Sequence, residues 1–437
     1  DVYKRQAYYD GFCVETNLNF KTTNNKGKEV DIGSICSGGQ YNKLISRFKG
    51  VDIPGTGMSI GVDRLLFAMM QLDQIEIDWI DKKSLCVVLC SNMTEVMRAM
   101  VLSECKKIEE KPLKLTDIER HSIDNPDEVL IKIEACGVCH SQLHGIEGDW
   151  QEIGIPPSFP TVPGHEVVGK IIEIGEKVTK FKIGDRVGIT PLLKSCMNCT
   201  YCDEGKEYLC ENSEITGETL RGGYTEFINA SENFLTKVPD SMSSEYAAPL
   251  FCPGITAYKA IKAAEPEKNK KIAIYGIGGV GHMAIQFAKV EGCEVTGISR
   301  KKEHLNVAEK LGAEKIFQFT ESQEEFLTKV KDDYGYFDAA VVFAPSDMVT
   351  DTAIKSVKKG GTVIIATVGK IPNFLAFEEK TVRGTLIGSM KDMEKVIEIA
   401  QKNNFKVVTE SFPLEQANEV LERLKNSNIE ARAVLIP

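Results

Sequence analysis

The feature that most limits this chain is a glycine hexapeptide, Gly276-Ile277-Gly278-Gly279-Val280-Gly281, set between an apolar run at 272–275 and a helix-like stretch at 283–290. A second apolar run follows at 294–298. Strand, glycine turn, helix and strand in so short a span define a βαβ unit with parallel strands. Missing side chains at the turn let a pyrophosphate approach backbone N–H groups at the helix start. Further apolar runs at 339–343, 362–366 and 385–387 alternate with charged helical stretches, which predicts a parallel sheet covered on both faces.

A different texture precedes this. Between about 97 and 250, short alternating runs such as 129–133 and 167–174 are broken by Gly and Pro pairs, the pattern of a compact β-rich domain, and a boundary is expected near Met97. With 437 residues, two or three domains are expected. No apolar run approaches the ~20 residues a membrane span needs, so no membrane partner is expected. A net charge of −10 gives no general attraction to phosphate backbones, so neither is nucleic acid. The opening at Asp1 shows no basic-then-apolar leader, which makes the cytoplasm the expected location.

Thirteen cysteines in a long chain without a leader read as metal ligands rather than disulfides. Cys196, Cys199, Cys202 and Cys210 follow C-x2-C-x2-C-x7-C, which brings four thiolates within reach of one ion on a short loop. Four sulfurs close a tetrahedral shell and leave no position for substrate, so this zinc would be structural. Cys139, His165 and Cys252 are scattered, and spacing alone does not group them. Cys136 and Cys293 read as core residues.

Taken together, Gly137-Val138-Cys139-His140-Ser141, Pro163-Gly164-His165-Glu166, the four-cysteine loop and the glycine loop resemble the medium-chain zinc alcohol dehydrogenases over about 97–437. The resemblance implies a GroES-like β-rich catalytic domain at 97–250 and 389–437, and a Rossmann domain with a doubly wound parallel sheet at 251–388. It implies a catalytic zinc held by Cys139, His165 and Cys252, with Glu166 beside it and a fourth position open. Such an ion polarises an alcohol or carbonyl oxygen. Ser141 and His144 match the family's proton relay, and Trp150 lies near enough in sequence to wall the substrate pocket. One departure is Gln142, which stands where the family usually has an acid that accepts a hydrogen bond from the metal-bound histidine.

The cofactor in this reading is a nicotinamide dinucleotide bound at Gly276, Gly278, Gly279, Val280 and Gly281. Ser299-Arg300-Lys301-Lys302 occupies the strand end where NAD enzymes generally carry an acid, so Ser299 and Arg300 suit a 2′-phosphate and favour NADP(H), with NAD(H) the alternative. Arg432 matches a family arginine that contacts the pyrophosphate. The expected activity is interconversion of small alcohols and aldehydes, with a polyol or sugar-alcohol dehydrogenase as the alternative on the same scaffold. A homodimer or homotetramer is expected, joined near 384–389.

The first 96 residues resemble the later part of a histidyl-tRNA synthetase catalytic domain, in Tyr8-Tyr9, Ser37-Gly38-Gly39-Gln40-Tyr41 and Gly57-Met58-Ser59-Ile60-Gly61-Val62-Asp63-Arg64. That implies a truncated α+β fragment with Tyr8 and Tyr9 at a histidine pocket and Arg64 at ATP. Gln40 and Asn42 depart from the family pattern, and half of the active-site sheet is missing, so no aminoacylation is expected. The run at 85–90 would begin the following anticodon-binding domain. The switch of character at Met97 suggests an assembly join. An RNA-binding accessory role is the reading from another class, but 12 Asp/Glu against 11 Lys/Arg in residues 1–96 lack a basic footprint.

Overall fold

The computed structural model describes residues 96–437, except 121, 220, 321, 372–373 and 430–431, and five strand segments among the first 95. The chain divides into two units, 1–92 and 93–437. In the first, Cys13–Asn17, Ser34–Gln40 and Thr56–Ile60 form an antiparallel three-stranded sheet, and Thr22–Thr23 pairs with Glu29–Val30. Tyr8, Tyr9, Asn42, Arg64 and the run at 85–90 lie outside the described residues.

In the second unit, six parallel strands run in the order Lys315–Gln318, Glu294–Ser299, Lys271–Tyr275, Phe337–Val342, Val357–Ile365 and Thr381–Gly384. Their near-continuous apolar character has a direct cause in the packing. Ile272, Ile274, Val295, Ala339, Val341 and Ile364 face a core shared with helices Pro253–Ala263, Gly281–Val290 and Met390–Lys402. The alternate residues Ala273, Tyr275, Ile298, Ala340, Val342 and Val363 face a second core built with helices Gln323–Asp333 and Asp347–Ser356. A strand buried on both faces has no polar side to show. The strand order reverses between Lys271–Tyr275 and Phe337–Val342, the switch point at which such sheets open a crevice for a dinucleotide.

The run at 385–387 is not the last strand of this sheet, which ends at Gly384. Thr385 N–H still donates to Ile365 O (3.0 Å), but Ile387 leaves the sheet to pack with Leu192 and Phe234. Its apolar character serves the chain's return toward the β-rich region.

That region is a seven-stranded sheet in which Leu235–Lys237, Arg186–Ile189, Glu166–Ile174, Glu128–Gly137, Arg432–Ile436 and Thr409–Pro413 are successive neighbours, with Phe227–Ser231 also on Glu128–Gly137. The C-terminal strand thus sits beside one of the earliest, with Val434 opposite Gly137, while Gly137 is opposite Glu166 on its other side. This register brings residues from three distant parts of the chain to one end of the sheet.

Candidate active site

The glycine loop follows strand Lys271–Tyr275 and ends at Val280, the N-cap of helix Gly281–Val290. The glycines differ in what surrounds them. Gly276 has φ +93° and a Cβ there would press on Ala344, while a Cβ on Gly281 would collide with Gly276 O. Nothing lies within 4 Å of the Cβ direction of Gly278, so that face is open to a ligand, whereas Gly279 has the Arg432 guanidinium against it. Behind the loop, His282 is buried, its Nδ1 3.0 Å from Gly278 O, and burial lowers its pKa to about 4.

Strand Glu294–Ser299 ends in the crevice beside this loop. Ser299 is buried, and its Oγ is 3.3 Å from Nδ1 of His304, a residue the sequence reading did not single out. Arg300 is exposed, and its carbonyl accepts from Gln318 Nε2 (3.0 Å).

Cys196, Cys199, Cys202 and Cys210 lie on the excursion between Leu192–Lys194 and Glu214–Ile215, with their sulfurs within 4.8 Å of one another. Cys196 Sγ is 3.9 Å and Cys199 Sγ 3.6 Å from Cys202 Sγ, and the Cys196 N–H donates to Cys210 Sγ (3.5 Å). A backbone N–H at Asn198, followed by the neighbouring thiols, brings Cys196 down to about 7.

The second cluster is assembled from element ends. Cys139 caps helix His140–Glu147, Cys252 precedes helix Pro253–Ala263, and His165 and Glu166 stand at the start of strand Glu166–Ile174. One ligand atom from each lies within 4.8 Å of the others. Cys139 Sγ is 3.9 Å from Cys252 Sγ and 3.4 Å from Ser141 Oγ. The hydrogen bond from Cys252 holds the Cys139 thiol well below its ordinary range and Cys252 well above it. Burial opposes charge on His165, but Cys139 and Glu218 outweigh it and hold the imidazole up to about 10. His165 Nε2 and Glu166 Oε2 are buried with no hydrogen-bond partner among the described residues. Orphaned polar atoms beside two thiols fit a tetrahedral metal site with one position left open.

Glu166 and Arg432 form a buried ion pair. Burial raises the Glu166 carboxyl to about 7 against the pull of Arg432, and burial opposes but does not overcome the carboxylate's upward effect on Arg432. Gly137 makes the pair possible, because a Cβ there would run into the Glu166 carboxylate. Arg432 therefore bridges the metal-ligand cluster and the glycine loop, a position that its sequence context alone did not reveal.

Gln142, the expected weak point, is buried with its Nε2 2.7 Å from His165 Nδ1, and its Oε1 accepts from Gly164 N–H. An acid is nevertheless present: Glu218 Oε1 lies 3.4 Å from His165 Nδ1. His144 is half-buried, with its Nδ1 2.8 Å from Asp149 Oδ2 and its ring stacked on Trp150 at 5.4 Å. Ser141 and His144 thus share one helix, Ser141 against Cys139 and His144 toward Asp149. A larger surface hollow, lined by Gln323, Leu327, Tyr336 and Lys355, carries none of these groups.

Residues 125–240 match the alcohol dehydrogenase GroES-like domain, and residues 279–402 match the zinc-binding dehydrogenase family. An alcohol dehydrogenase of Geobacillus stearothermophilus is 38% identical over 344 residues, 78% of this chain and 99% of that protein. The chain belongs to the zinc-dependent medium-chain alcohol dehydrogenases. It is an oxidoreductase of that family acting on alcohols. The NADP-dependent alcohol dehydrogenase C 1 of Mycolicibacterium smegmatis is 30% identical, covering 74% of this chain and 94% of its own. Among solved structures, the alcohol dehydrogenase of Aeropyrum pernix superposes with a TM-score of 0.71 at 31% identity, over 78% of this chain and all 100% of that one. Both family matches lie within 125–402, inside the second unit. No helix among the described residues is long and apolar enough to cross a membrane.

Proposed function

We propose that the enzyme interconverts primary alcohols and aldehydes with NADP(H), using Cys139, His165 and Cys252 to hold a catalytic zinc and Cys196, Cys199, Cys202 and Cys210 to hold a structural one. The observation that carries this reading is the buried His165 Nε2, without a hydrogen-bond partner among the described residues and within 4.8 Å of Cys139, Cys252 and Glu166 ligand atoms. When bound, zinc acts as a Lewis acid on the substrate oxygen and the nicotinamide takes or gives the hydride. Ser141, whose Oγ is 3.4 Å from Cys139 Sγ, is the hydroxyl placed to take the alcohol proton, and His144, held by Asp149, would be the group that exchanges it with solvent once bound cofactor links the two. Glu166, paired with Arg432, would have its second carboxylate oxygen to offer a bound metal, and Arg432, against Gly279, would help to hold the cofactor pyrophosphate.

In the same reading, 97–250 and 389–437 form the catalytic domain and 251–388 the nucleotide domain. NADP(H) preference rests on Ser299 and on the exposed Arg300 at a strand end without an acid, and the NADP-dependent relative supports it. Exposed Val368, Phe377 and Leu386 beside the edge strand Thr381–Gly384 support assembly into a dimer or tetramer there. In this reading the first 96 residues are a synthetase-like remnant without aminoacylation, on the strength of their sequence motifs.

The test is oxidation of NADPH and of NADH by the zinc-loaded full chain with benzaldehyde or butanal, before and after chelation. Chelator-sensitive turnover favouring NADPH is expected. Preference for NADH would remove the phosphate reading, and turnover indifferent to chelation would remove the catalytic zinc. Arg300→Ala should raise the KM for NADPH about 10–100-fold, the worth of one or two charge-assisted hydrogen bonds, and leave that for NADH unchanged.

A further inference from the structure

We infer that Glu218 is the carboxylate that orients His165 for the metal, a positioning role taken over by a distant loop because position 142 is a glutamine. The inference rests on the zinc reading above and begins from donor and acceptor bookkeeping. A histidine that ligates through Nε2 keeps its proton on Nδ1, so Nδ1–H needs an acceptor. Gln142 cannot supply it where it stands. Its carbonyl oxygen accepts from Gly164 N–H, which turns its NH2 toward Nδ1 at 2.7 Å, donor against donor. Flipping the amide would set NH2 against Gly164 N–H and exchange one mismatch for another.

Glu218 supplies the acceptor that Gln142 does not. Its Oε1 accepts from Gln142 Nε2 at 3.5 Å and lies at ion-pair distance, 3.4 Å, from His165 Nδ1, which puts a carboxylate within reach of the imidazole N–H. Its side chain is only 12% exposed, which keeps water from competing strongly for that oxygen. The backbone around it is built for the approach. Gly217 has φ +69°, and a Cβ there would collide with Gly164, as would one on Gly222. The turn is tied back by Glu218 N–H to Ile215 O at 3.2 Å. The loop is therefore pressed onto the residue preceding His165, and Glu218 is carried to the imidazole by two close glycine contacts. A carboxylate behind a ligating histidine fixes the ring and raises its basicity, so Gln142 does not imply a weakened metal ligand.

The experiment measures zinc content and zinc retention against a competing chelator in the full chain for wild type, Glu218→Ala, Glu218→Gln and the double variant Glu218→Ala/Gln142→Asp, with thermal unfolding as the check on folding. Wild type should hold two zinc ions. In Glu218→Ala one ion should be held about 10–100-fold more weakly while the other is unchanged. Glu218→Gln, which keeps an acceptor without the charge, should fall between. Aspartate at 142 can accept from Gly164 and His165 together, so the double variant should recover most of the loss. In cobalt-substituted protein, the visible spectrum of the weakened site should shift in Glu218→Ala and return in the double variant. Two ions held by Glu218→Ala as tightly as by wild type, or no recovery in a folded double variant, would overturn the inference alone. A wild-type chain with one zinc that His165→Ala does not disturb would overturn the catalytic-site reading and this inference with it.

Discussion

The two sulfur clusters differ in how they come about. The four-cysteine site is local, spanning 196–210 on one excursion, with three of its residues half-buried and only Cys210 buried. Its partners are near one another because the chain between them is short. The second cluster draws Cys139, His165 and Cys252 from three element ends and seals His165 and Cys252 in the interior. Around it several polar groups are placed by long-range packing: Glu166 across Gly137 to Arg432, and Gln142 and Glu218 behind His165. Four sulfurs saturate one ion, while two sulfurs and an imidazole leave a position open. A site that shapes a loop can be built locally, but one that meets both substrate and cofactor is held by several elements at once.

The largest test breaks this comparison outright. Cys252→Ala should lower kcat/KM by about 10³-fold or more, since several kcal/mol of Lewis-acid stabilisation are lost. Cys199→Ser should instead lower the thermal midpoint and leave kcat within about threefold in the folded fraction, because a closed site does no chemistry. Equal losses of kcat in both would show that the clusters do not differ in kind.

Next in size is Gly137→Ala, which sharpens the claim about packing around the interior site. The new methyl displaces the Glu166 carboxylate and strands Arg432, so unfolding in denaturant should show about 3–5 kcal/mol lost, the usual consequence of breaking a buried ion pair. A loss below about 1 kcal/mol would mean that the pair has room to rearrange.

A smaller effect extends the role of burial to the nucleotide loop. His282 titrates at about 4 when folded against an ordinary 6.5, so the unfolded chain takes up the proton first. Stability is therefore full above pH 6.5 and declines as pH falls toward 4, by about 3 kcal/mol from this residue. Zinc-saturated His282→Leu should lose that part of the acid slope. Identical slopes for variant and wild type would show that His282 is not the group titrating.

Much of the arrangement was legible in the residues. The glycine loop announced its strand and helix because its glycines sit at a tight turn between two strongly patterned segments, and short apolar runs separated by charged helical stretches announced a sheet buried on both faces. The run at 385–387 misled because apolar residues that pack beneath a crossover carry the same pattern as a strand. For the candidate active site, grouping Cys139, His165 and Cys252 needed family resemblance. Glu218 carried no signal, being an ordinary acid in a polar turn, and neither did His304. Asp149 was nearer to hand, five residues beyond His144, but nothing in that spacing fixed its orientation.

By itself, then, the sequence determined whatever depends on neighbours along the chain: the parallel βαβ unit, the four-cysteine loop, and a strand end carrying arginine and lysine instead of an acid. Only the tertiary structure decided that Arg432 faces Glu166, that Gly137 makes room for it, and that Glu218 stands behind His165. The physical reason is that hydrogen bonds and ion pairs act over about 3 Å, and separation along the chain sets such distances only within a turn or two. Beyond that, strand register and the close approach of glycine backbones set them.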